Sequence, residues 1–227
     1  MSGFAGFPAP AIPTLRALPS RDSGWYAAHK AEVADALVDA ARAFVEELGE
    51  RLRAELSSGI EAQPKVNGSI SPLNEDLRFA PGKPPYRDYL MLNFWEGPSK
   101  PLAPTVRVRI HPSGVGFGGG MAFDKDAIER WRAAVAGPRS GAALERALAP
   151  LEAIEGCELA GESLKRVPAP YEADHPRELL LRHKLIQARW GDVVPDELGD
   201  ARFVDWCAER LIRFKPLHEW LVEHVAT

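Results

Sequence analysis

The sequence predicts an α+β fold, with an antiparallel or mixed sheet of about four to six strands packed against helices from the N- and C-terminal parts. Three observations carry this. In the run 105–111 the apolar Val106, Val108 and Ile110 alternate with Arg107, Arg109 and His111, the period of a strand with one buried face. Strand-like runs at 89–95 and 115–121 flank it across turn-forming segments, so hairpins and antiparallel pairing are expected. Val33, Leu37, Ala41, Phe44, Leu48, Leu52 and Leu56 recur at three- and four-residue steps, forming the apolar stripe of a long helix.

Taken in order, residues 1–20 are rich in Pro, Gly and Ala and read as an irregular arm. Phe4, Phe7, Ile12 and Leu15 are its anchors, apolar enough to pack on the body. Asp22 or Ser23 caps a helix over 23–57 that ends at Ser57-Ser58-Gly59. Prolines 72, 81, 84 and 85 exclude helix from the stretch that follows. The strand 89–95 comes next, then a loop from Gly97-Pro98 to Pro104, the Arg/Val strand, a turn at Pro112-Ser113-Gly114 and the returning strand. Asp124 caps a helix that stops at Gly137-Pro138, with Phe123 and Ile128 spaced as a hydrophobic staple. A helix over 140–154 is disturbed by Pro150. A strand is expected within 159–167, a short helix capped by Asp174 and running to Leu181, and a strand over 185–190. Asp200 opens the last helix, with Phe203, Cys207 or Trp206, Leu211 and Phe214 facing inward and a break at Pro216.

The totals limit the function. The chain has 227 residues, 45% of them hydrophobic and 26% charged, the balance of a globular protein read as one domain over 1–227. A net charge of −4 argues against a dedicated nucleic-acid binder. The two cysteines, Cys157 and Cys207, are too few for a disulfide scaffold and read as reduced residues of a cytoplasmic protein. The N-terminal stretch lacks the pattern of a signal peptide or lipidation site. No apolar run is long enough to span a membrane. No metal-ligand spacing, P-loop, dinucleotide fingerprint or nucleophile elbow is present, so neither metal nor cofactor is expected. Nothing in the composition points to an oligomeric state.

Three blocks resemble one family. They are Gly6-Phe7-Pro8 with Trp25-Tyr26-Ala27-Ala28-His29-Lys30; the segment from Asp76-Leu77-Arg78-Phe79 through Lys83-Pro84-Pro85-Tyr86-Arg87; and Gly118-Gly119-Gly120 with Leu164-Lys165-Arg166-Val167-Pro168, Tyr171 and Asp174-His175-Pro176. Over about residues 4–195 the chain resembles the bacterial and fungal family called domain of unknown function 2461. The resemblance implies a compact α+β domain and an intracellular bacterial protein, and it carries over no activity. Glu75, Ala80 and Gly82 depart from the family's usual Arg, Ser and Asp, and Ser71 lies near another usually basic position, marking a divergent branch.

Two segments carry candidate binding chemistry. Arg78 and Lys83, on a proline-stiffened loop, could present a planar fork and a mobile point charge to an anion. Equally, Asp76 could pair with Arg78 or Arg87 and pin the loop, with Phe79 and Tyr86 as anchors. Arg107, Arg109 and His111 share one strand face and could floor a basic groove for a phosphate, a carboxylate or an acidic partner surface. They could also be a face neutralised from within, with Glu96 among the available acids. The glycines at 116 and 118–120 suit an anion-binding turn or, with more structural reason, a bulge or close helix–sheet contact. His29 lies on the first helix. Trp25 and Trp95, at element ends, are the tryptophans best placed to line a cleft. The expected function is therefore a binding module for an anionic, phosphate- or carboxylate-bearing ligand or an acidic partner surface. The alternative is an enzyme acting on a small phosphorylated or carboxylated substrate, with His111 or Asp76 moving the proton.

Overall fold

In a computed structural model, the described residues are 3–78 and 82–226. Six strands form one fully antiparallel sheet: β1 (Ile60–Glu61), β2 (Leu90–Glu96), β3 (Thr105–His111), β4 (Gly114–Ala122), β5 (Glu158–Ala160) and β6 (Leu185–Asp192), in the order β1-β2-β3-β4-β6-β5. The α+β expectation is met, and the pairing is antiparallel rather than mixed.

The helices are α1 (Ala11–Ala17), α2 (Ser23–Ala28), α3 (Lys30–Val33), α4 (Asp39–Glu55), α5 (Lys125–Ala136), α6 (Pro138–Glu152), α7 (Glu178–Leu181), α8 (Phe203–Leu211) and α9 (Lys215–His224). From the pleat, Leu90, Leu92, Phe94, Val106, Val108, Ile110, Val115, Phe117, Ile186, Ala188 and Trp190 form the sheet's inner face, and all are buried. Trp190 stacks on Phe214 at 4.7 Å, and Phe117 packs 5.5 Å from Trp206, so the C-terminal helices cover this face. Gly119 allows them to come close, because a Cβ there would run into the Phe214 ring. Close helix–sheet approach is thus what this glycine provides.

Several local expectations are corrected. The arm is not irregular throughout: it holds α1 and a 3-10 turn at Leu18–Ser20, while Phe4, Phe7 and Leu15 are buried as anchors. The single helix over 23–57 is three helices and a π turn at Ala34–Val38. His29 interrupts it, with its ring Nδ1 donating to the Trp25 carbonyl at 2.9 Å. The stripe from Val33 to Leu56 nevertheless remains buried. Asp124 does cap α5, accepting the Ala127 N–H at 2.8 Å. Pro150 does not break α6, which runs to Glu152 with the proline inside it, at the cost of one N–H in the helix ladder. Asp174 and Asp200 are not caps. Helix α7 follows Arg177 and α8 follows Arg202, and Asp200 instead accepts the Arg202 backbone N–H at 2.8 Å. The strand expected within 159–167 is β5, displaced toward the N-terminus.

Candidate functional site

The outer face of the sheet is built by the same alternation that buries the inner one. Cross-strand partners share a face. The register therefore sets Arg107, Gly118, Arg189 and Glu158 in one row, and Arg109, Gly116 and Gly191 in the next. On this face β4 carries glycine at positions 114, 116, 118 and 120, with Ala122 at its end. Four successive positions without side chains between β3 and β6 leave a trough. Arg107 and Arg189 start from opposite banks roughly 10 Å apart, twice the interstrand spacing. The trough encloses a hollow of about 530 Å³, lined among others by Met91, Arg107, Arg109, Gln187 and Arg189.

The arginines differ in how they are neutralised. The Arg107 Nε is buried without a hydrogen-bond partner. No carboxylate among the described residues lies within ion-pair distance of its guanidinium. Burial pulls its pKa below the usual arginine range, yet a guanidinium keeps its charge at physiological pH. The Arg107 stem lies over Gly118, whose Cβ position is 3.3 Å from Arg107 Cγ and 3.1 Å from Gln187 Nε2. Arg109 leans away from the glycines. Its guanidinium carbon sits 4.3 Å from the Tyr89 ring centre, and Nη2 is 3.9 Å from Asp88 Oδ1. Arg189 is held by Glu158 Oε2 at 3.1 Å from Nε and 2.9 Å from Nη2, in an exposed pair.

His111 is engaged elsewhere. Its Nδ1 accepts the Ser113 N–H at 3.0 Å and the Ser113 hydroxyl at 2.6 Å, so Nε2 carries the proton and donates it to Asp88 Oδ2 at 3.0 Å. Arg78 binds Asp76 in a fork, Nε to Oδ1 at 2.9 Å and Nη2 to Oδ2 at 2.7 Å, and these bonds lower the Asp76 pKa. Lys83 is exposed on the same loop. Neither Arg78 nor Lys83 lines the hollow. Of the second sequence reading, the Asp76–Arg78 pair is present, but Arg87 pairs with Glu75 rather than Asp76, at 2.7 Å, and Tyr86 stacks on Tyr26 at 4.5 Å. Phe79 lies outside the described residues. Trp95 does not line a cleft but is buried, and Trp25 stacks on His29 at 4.2 Å. Glu96 does not serve the basic strand; it accepts from His218 Nε2 at 2.8 Å.

Of the five sequence candidates, Arg107 and Arg109 line the hollow, together with Gln187 and Arg189. Both signals were present in the chain: residues 187 and 189 alternate with the apolar 186, 188 and 190, and glycine recurs at every second position from 114 to 120. What no local pattern contained was the pairing of β6 beside β4. Among the described residues, no group of three or more His, Cys, Asp or Glu is placed to hold a metal ion. A larger hollow of about 820 Å³ lies between α6 and α9, but Arg139 and Arg146 share it with Glu219 and Glu223, which leaves it no dominant sign of charge.

No helix among the described residues is long and apolar enough to cross a membrane. No curated protein and no solved structure matches the chain significantly. One family model does, that of the conserved hypothetical protein DUF2461, over residues 15–220 of the 227. With most of its length so matched, the chain belongs to the DUF2461 family.

Proposed function

We propose that this protein is a binding module whose trough takes a small ligand bearing a carboxylate or phosphate group. Arg107 is the primary contact, with Gln187 beside it and Arg109 and Arg189 on the banks. One observation carries the reading: Arg107 holds a partly buried guanidinium in the wall of a hollow, with no acid among the described residues within ion-pair distance. Such a charge is costly to keep and is balanced when an anion enters. A recess of about 530 Å³ fits a small molecule better than a flat acidic partner surface. His111 and Asp76 stand outside this reading, and neither lines the hollow: His111 is bonded to Ser113 and Asp88, and Asp76 to Arg78. The two free cysteines support a reducing compartment such as the cytoplasm.

The test is thermal unfolding at low ionic strength with phosphate, pyrophosphate, sugar phosphates and simple carboxylates. A ligand that binds the native state raises Tm by mass action, by about 2.7 kcal/mol of stability at a hundred times its Kd. Arg107→Gln should abolish that rise. If no anion shifts the wild-type protein, or the Arg107→Gln variant responds equally, the reading fails.

A further inference from the structure

We propose that the ligand is a planar carboxylate, lying flat on the bare backbone of Gly116 and Gly191 with its carboxylate against Arg107. This rests on the anion-binding reading above and narrows it to one chemical class.

The first argument is what the glycines are not for. Glycine in a strand interior forfeits both packing and conformational restriction, so each instance calls for a reason. Gly119 has one in the Phe214 ring, and Gly118 has one in the Arg107 stem and Gln187 amide that close over it. Gly116 and Gly191 have none within the protein. Neither adopts a positive φ. A Cβ at Gly116 would meet its nearest neighbours at 3.7 Å, an ordinary contact, and a Cβ at Gly191 would meet nothing within 4 Å. The two are direct cross-strand partners, and both line the same hollow. Their missing side chains leave a level patch of peptide planes whose only use is to let something approach the backbone closely. A flat unsaturated ring matches such a surface, whereas a puckered one touches it at few points. Met91 lines the same hollow, and its polarisable thioether favours an aromatic edge.

The second argument is charge. Of the three arginines on the hollow, Arg189 is balanced by Glu158, and Arg109 faces Asp88 and the Tyr89 ring. Arg107 alone of these three has no acid partner among the described residues, so a single negative charge completes the site. A phosphate dianion would bring a second charge towards Glu158, which also lines the hollow. A carboxylate matches the flat guanidinium fork.

The experiment is titration calorimetry with 2-naphthoate, decahydro-2-naphthoate and inorganic phosphate, on the wild-type chain and on Arg107→Gln, Gly191→Val and Gly191→Ala. The two acids share charge and carbon frame and differ in planarity. We expect 2-naphthoate to bind at least ten-fold more tightly than its saturated counterpart and than phosphate. Gly191→Val should weaken 2-naphthoate at least ten-fold while leaving Tm no lower than wild type, with Gly191→Ala intermediate. Arg107→Gln should weaken both acids. Equal affinity for the two acids, tighter binding of phosphate, or undiminished 2-naphthoate binding by a folded Gly191→Val would each overturn the planar-carboxylate proposal and leave the anion site standing. If none of the three probes binds, or if Arg107→Gln binds them as the wild type does, the anion site itself falls.

Discussion

Arg107→Met separates a binding residue from a structural one by the sign of its effect on stability. In the native protein the Arg107 Nε is buried and unpaired. A buried donor left unsatisfied costs about 1–3 kcal/mol. The stem is a different matter, since Cγ and Cδ lie 3.3 and 3.5 Å from the Cβ position of Gly118 and cover the floor. Methionine keeps an unbranched apolar chain of similar reach over that floor and removes the orphaned donor with its charge. Side-chain repacking offsets part of the gain, leaving a net stabilisation of about 1 kcal/mol. For a chain of this size that is a rise in Tm of about 2–4 °C. The assay is paired: reversible thermal unfolding followed by circular dichroism at low ionic strength, and the same melts with added anion. The variant should melt higher than wild type without anion and gain nothing from it. A fall in Tm of similar size would refute the reasoning, because it would mean that Arg107 makes a stabilising contact inside the protein and has no charge to spare for a ligand.

Three further outcomes follow from the packing and the titrating groups. Gly119→Val should lower stability by about 1–3 kcal/mol, read from the urea midpoint, because the new side chain must displace the Phe214 ring; an unchanged midpoint would show that the helices can retreat. His218→Ala should cost about 3 kcal/mol in the same assay, since His218 is 3% exposed and its loss leaves both a void and the Glu96 carboxylate short of its 2.8 Å donor. A loss below about 1 kcal/mol would mean that Ser57, 3.1 Å from Glu96, suffices alone. Burial, and then the neighbouring Arg182 charge, hold the His183 pKa below the ordinary histidine value. The unfolded chain therefore takes up this proton at higher pH than the native one. Stability from this residue is complete above about pH 6.5 and is lost as pH falls from there through the native pKa. His183→Gln should flatten the decline in urea midpoint between about pH 6.5 and 5, and an equal decline in the variant would assign it to other groups.

What was legible in the chain was set by short-range geometry. The alternation from Thr105 to His111 fixes which side chains share a face of β3 regardless of the rest of the molecule. Asp124 caps α5 with an oxygen three residues from its donor, and the stripe from Val33 to Leu56 stays buried although the helix carrying it is interrupted. The same short range explains the misreadings at Asp174 and Asp200. A carboxylate before an apolar run can cap a helix or fold back on a neighbouring arginine, and Asp200 does the latter.

The sequence by itself determined a sheet with one apolar face, the helices that cover it, and a row of cations on the other side. Only the tertiary structure decided which of those cations is left over. It laid β6 against β4, which turned alternate glycines into a floor and supplied Arg189 and Gln187 as a second bank. It sent His111 to Asp88 and gave Arg107 no partner among the described residues. Periodicity is written residue by residue, whereas ion pairing depends on which distant segments the core draws together, and a charge shows no preference until its neighbours are in place.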